Sequence, residues 1–113
     1  VYYKSYQLVA FIIMTEYNKL VRDNIASQLD AKGISYEKRI ATEEEYKSEL
    51  IKKLVEESNE FAEEGSVEEL ADVLEVIGAL RTLPEYAEVE AVRIQKREER
   101  GGFEKRIILK GQK

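Results

Sequence analysis

Nineteen residues, Leu54 to Asp72, constrain this chain more than any other stretch. They read Leu-Val-Glu-Glu-Ser-Asn-Glu-Phe-Ala-Glu-Glu-Gly-Ser-Val-Glu-Glu-Leu-Ala-Asp. Two acidic pairs stand at i, i+3 spacing: Glu57 with Glu60, and Glu69 with Asp72. Residues three apart share a helix face. Between the pairs, Gly65 is suited to end one helix and Ser66 to cap the next. So short a connection predicts two antiparallel neighbouring helices. Counted outward from Gly65, Glu60 and Glu69 fall at nearly one height, and Glu57 and Asp72 at another. Four carboxylates are thus expected in one small volume, where they repel unless a cation or protons intervene.

Helical periodicity sharpens that expectation. At about 100° per residue, Glu57 falls in the arc of Leu50, Leu54 and Phe61, with Glu60 at its edge. On the following helix Val67, Leu70, Leu74 and Ile77 form one apolar stripe. Val76, Leu80 and Leu83 form a second, flanked by Glu69 and Asp72. A helix apolar on two sides is expected to be buried on two sides, and that points to self-association. Plainer readings exist. Glu69 is three residues after Ser66 and can close a capping box. Glutamates are good helix formers, and either pair alone reads as a solvated face. The matched heights of the two pairs favour a site.

Composition narrows the chemistry. The 113 residues fit one domain, small enough to gain from oligomerisation. A net charge of −5 argues against binding a nucleic acid polymer. There is no Cys and no His, so thiol nucleophiles, Ser-His pairs and Cys or His metal sites are excluded. Carboxylate ligation favours Mg²⁺, with Mn²⁺ as the alternative. The apolar run Leu8–Met14 is too short to span a membrane, and no small-residue cleavage site follows it. Residues 1–13 read as an upstream extension or N-terminal arm, with Met14 as the natural start of a single domain over 14–113. A cytoplasmic location is expected.

The remaining elements follow from local signals. Asp23 is expected to cap a short helix through Ala31, stopped by Gly33. The loose alternation of Ile34 to Ala41 reads as a strand. Thr42 with Glu45 forms a capping box opening a long helix to about Glu64. The third helix runs from Ser66 to about Thr82. Pro84 suits the first turn of a fourth, to about Arg100. Gly101-Gly102 ends it, and 103–109 reads as a strand that pairs with 34–41. The expected class is mainly α, an antiparallel helical bundle with a small two-stranded β element. Lys19 and Arg22, and Lys96 and Arg100 on the fourth helix, are candidate phosphate ligands. The bases of the fourth helix equally suit its C-terminal dipole and ion pairs to Glu98 and Glu99.

Three segments together carry a family resemblance: Tyr17 to Ile25, the two acidic pairs, and Lys-Arg-Glu-Glu-Arg-Gly-Gly-Phe over 96–103. They resemble the MazG-like nucleotide pyrophosphohydrolases, and more narrowly the small phosphoribosyl-ATP pyrophosphohydrolase-like branch. The similarity covers about residues 15–109. The E-x-x-E and E-x-x-D pattern of that family matches Glu57–Glu60 and Glu69–Asp72. Two departures stand out: Ala26 occupies a position where the small branch often has Pro, and the interval from Glu60 to Glu69 is shorter than in longer MazG proteins. The resemblance implies an all-α fold, a dimer or tetramer, Mg²⁺, and hydrolysis of a nucleoside triphosphate to monophosphate and pyrophosphate. On that basis Glu57, Glu60, Glu69 and Asp72 are the expected metal ligands. A water attacks the α-phosphorus, helped by Glu56 or Glu57, while bases such as Lys96 and Arg100 support the leaving pyrophosphate. Phosphoribosyl-ATP as a dedicated substrate, a non-catalytic nucleotide or metal sensor, and an acidic interaction module are the alternatives.

Overall fold

The computed structural model describes residues 18–112, and the N-terminal arm expected over 1–13 lies outside them. The described chain is mainly helical: α1 (Ile25–Ala31), α2 (Glu43–Glu64), α3 (Val67–Arg81), a 3₁₀ turn (Pro84–Tyr86) and α4 (Val89–Arg100). It divides into two compact units, one ending at Leu80 and the other beginning at Arg81.

In the first unit the helix ends follow from side-chain and glycine chemistry. Asp23 and Asn24 form the turn that opens α1, with Asn24 rather than Asp23 at the cap and no side-chain cap bond. Gly33, at φ +69, closes α1. Ile34 N–H donates to Leu29 O and Gly33 N–H to Asp30 O, the paired bonds of a Schellman motif. Thr42 caps α2, its side chain accepting from Glu45 N–H at 3.2 Å. Gly65 ends α2 in the left-handed region, φ 61 and ψ 21, where a side chain would be strained. Ser66 then accepts from Glu69 N–H at 3.2 Å and starts α3. Among the described residues the buried apolar side chains are Leu29, Leu50 and Val76, one from each helix of this unit.

The expected two-stranded β element is not formed; among the described residues there is no strand. Alternation alone does not make a ladder, because each strand needs a partner edge to satisfy its backbone. In 34–41, local side-chain bonds hold the chain instead. Tyr36 donates to Asp30 at 2.7 Å, and Arg39 forks onto Glu45. In 103–109, Arg106 has a φ of 58, which interrupts extended backbone.

The second unit holds the 3₁₀ turn, α4 and the segment after it. Pro84 does open a helical turn, yet α4 begins only at Val89, so one expected helix is two elements. Arg81 pairs with Glu90 at 2.6 Å, and no residue of α4 is buried.

Candidate metal centre

The connection Gly65-Ser66 separates α2 from α3, and carboxylates of the two helices come together. Glu57, Glu69 and Asp72 each offer one carboxylate oxygen, and these atoms all lie within 4.8 Å of one another. Their residues are only 5%, 5% and 7% exposed, as buried as the core leucines. Charged side chains are almost never this buried unless paired or bound to a cation. Leu50 and Val76, on the same two helices, are likewise buried.

Glu60, expected as the fourth member, stands outside the 4.8 Å group. Its residue is half-buried, and its Oε2 is shielded from solvent. Of the expected quartet, three side chains therefore converge and the fourth is not among them.

Cations border the group from the chain that precedes α1 and from α2 itself. Arg22 Nη2 donates to Asp72 Oδ1 at 2.8 Å. Its guanidinium is about half exposed while the Asp72 side chain is only 10% exposed, so the pair reaches from solvent into the site. Lys53 Nζ lies 3.9 Å from Glu57 Oε1. Lys19 Nζ donates to Glu56 Oε1 at 3.0 Å, and Lys53 lies 3.6 Å from the same oxygen. Partial burial pushes the Glu56 carboxyl up, but the Lys19 hydrogen bond and the charges of Lys53 and Lys19 outweigh it. The net displacement is below the ordinary value of 4.5.

The fit to a hard cation rests on the donor set. The group brings three buried carboxylates together, with Arg22 at 2.8 Å from Asp72 and Lys53 at 3.9 Å from Glu57 as bordering cations. All-oxygen, carboxylate-rich donors are the kind that Mg²⁺ and Mn²⁺ prefer.

Lys19 and Arg22, read from the sequence as phosphate ligands, thus engage Glu56 and Asp72. These pairings join residues 37 and 50 positions apart, and no local spacing rule reaches that far. Lys96 and Arg100 belong to the second unit. There α4 presents Arg93, Lys96, Arg97 and Arg100 along a cavity of about 530 Å³, completed by the turn Gly101 to Phe103. Spacings of three and four on one helix account for that alignment.

No family model, curated protein or solved structure matches the chain. Among the described residues, no helix is long and apolar enough to cross a membrane.

Proposed function

We propose that this protein is a metal-dependent nucleotide pyrophosphohydrolase of the MazG-like type. It would cleave a nucleoside triphosphate, or a related nucleotide such as phosphoribosyl-ATP, to a monophosphate and pyrophosphate. The observation that carries this reading is the buried convergence of Glu57, Glu69 and Asp72 within 4.8 Å.

In this reading Glu57, Glu69 and Asp72 hold Mg²⁺ or Mn²⁺. A cation bound there would screen phosphate charge and make a coordinated water more acidic. Arg22 orients Asp72 and keeps one of its oxygens directed along the 2.8 Å contact. Glu56 remains ionised at neutral pH because Lys19 and Lys53 hold its pKa down. A carboxylate so stabilised is a weak base, so Glu56 serves better to orient a water than to take its proton. Lys19 and Arg22, both partly solvent-accessible, can exchange a carboxylate for phosphate oxygens as substrate arrives. No step needs a covalent intermediate, in keeping with a chain that has no Cys or His.

Self-association belongs to the same reading. Val67, Leu70 and Leu74 are 81%, 44% and 60% exposed, so this part of the first apolar stripe of α3 lies uncovered. Exposed apolar stripes of this kind mark contact surfaces.

The test is a product assay over a panel of nucleoside triphosphates and phosphoribosyl-ATP, resolving pyrophosphate from orthophosphate by ³¹P NMR. Pyrophosphate should appear from at least one substrate, only with a divalent cation, and be lost in Glu57→Gln and Asp72→Asn. Orthophosphate as the sole inorganic product, or turnover undiminished in both variants, would overturn the assignment.

A further inference from the structure

We infer that the second unit carries its own binding pocket for a nucleoside phosphate, with Phe103 as the surface on which the base stacks. The inference shares the nucleotide class with the proposed function but rests on different residues.

Three observations within this unit support it. The first is charge. Of the four cations lining the cavity, Arg93 is engaged by Glu90 at 2.8 Å and Arg97 by Glu104. Lys96 and Arg100 have no carboxylate partner among the described residues. They stand one helical turn apart and leave the cavity with two uncommitted positive charges. Two cations at that spacing suit a phosphate group, which accepts hydrogen bonds from both.

The second is the preset turn. Gly101 has a φ of 81, a conformation that side chains rarely adopt. A Cβ on Gly102 would meet both the Arg97 guanidinium and the Glu104 carboxylate, which form an ion pair across it. Gly101 is thus explained by its backbone conformation, while the groups near Gly102 are the ends of flexible side chains. Together the two glycines tie the turn back to α4 and place residue 103 on the cavity wall.

The third is Phe103 itself. It is 95% exposed, and it lines the same cavity as the cations. Core packing gives no reason for its presence. An exposed ring beside uncommitted cations matches a ligand with a flat π-face and an anionic end. Stacking on aromatic side chains contributes substantially to base binding and tolerates every base. Ile107, Ile108 and Leu109 are also exposed, but they follow Arg106 and do not line the cavity.

The experiment is calorimetric titration of the full chain in excess EDTA, which removes metal binding at the carboxylates from the measurement. The probes are adenosine 5′-monophosphate and ribose 5-phosphate, which share the phosphate and sugar and differ in the base. The nucleotide should bind about fivefold or more tightly than the sugar phosphate. Phe103→Ala should erase that ratio, Phe103→Tyr should preserve it, and Lys96→Ala with Arg100→Ala should weaken both probes. Equal affinities in the parent, no binding of either probe, or unchanged nucleotide affinity in Phe103→Ala would overturn the inference. Because Phe103 is almost fully exposed, its loss does not unmake a core, and the Tyr variant checks this. Nucleotide binding that persists in Glu69→Gln while pyrophosphate release is lost separates this pocket from the carboxylate site. Pyrophosphate release with no base-dependent binding would retain the proposed function and reject the pocket.

Discussion

Replacing Glu69 by Gln separates the two roles its position can play. Glu69 N–H donates to Ser66 Oγ at 3.2 Å, a backbone bond that Gln retains. Its side chain, however, supplies one of three buried charges within 4.8 Å. At that distance and an effective dielectric of about 20, two like charges repel by about 3 kcal/mol. Glu69 enters two such pairs, and the Arg22 contact on Asp72 offsets part of the total. Relief on the order of 1–3 kcal/mol is expected in the metal-free protein, raising its melting temperature by about 5–15 °C. Mg²⁺ should act in the opposite sense. At 100 times its Kd it stabilises the parent by about 2.7 kcal/mol, and Gln at position 69 should remove most of that gain. Ser66→Ala is the control: losing the cap should cost about 1 kcal/mol and leave the Mg²⁺ increment intact. Thermal melts of the three proteins with and without Mg²⁺ decide the matter. An unchanged Mg²⁺ increment in Glu69→Gln would show that Glu69 acts only at the helix start and that the carboxylates do not hold the cation together.

Two further expectations concern the cations around the site. Glu56 has its pKa lowered in the folded chain, so its contribution to stability is present above the ordinary value of 4.5 and is lost as pH falls through the folded value. Carboxyl NMR titration should place its midpoint below 4.5, and Lys19→Ala should move it upward; a midpoint indifferent to that change would contradict the ion pair. Arg22→Met should destabilise the metal-free protein by about 1–2 kcal/mol, less than for a fully buried pair because the guanidinium is half exposed. Mg²⁺ should recover more stability in Arg22→Met than in the parent, and melts showing equal increments would refute a shared role as counter-charge.

What could be read from residues alone was what residues decide locally. Thr42 with Glu45, Gly65, and Ser66 with Glu69 mark helix ends through bonds spanning three or four positions, and each of these signals coincides with an observed end. The grouping of Glu57 with Glu69 and Asp72 was legible for the same reason, since a two-residue connection fixes heights on both sides. The strand expectation failed because pairing is non-local: Ile34 to Ala41 alternates, yet its side chains find Asp30 and Glu45 instead of a ladder. Glu60 was grouped by height, but height does not settle rotation about the helix axis. The Lys19 and Arg22 contacts join distant segments, and no spacing within the sequence announces them. The delayed start of α4 had a visible cause in Pro84, but not a visible length.

The tightness of the Gly65–Ser66 connection also sets an order of assembly. Glu57 and Asp72 are 15 positions apart, whereas Arg22 is 50 positions from Asp72. Loop-closure entropy makes the longer closure dearer by about 1 kcal/mol. Short-range helical contacts form fastest, so the hairpin gathers its three acids before the arginine reaches them. During that interval Lys53 on α2 borders the group, and a dissolved cation can supply the charge that Arg22 later brings.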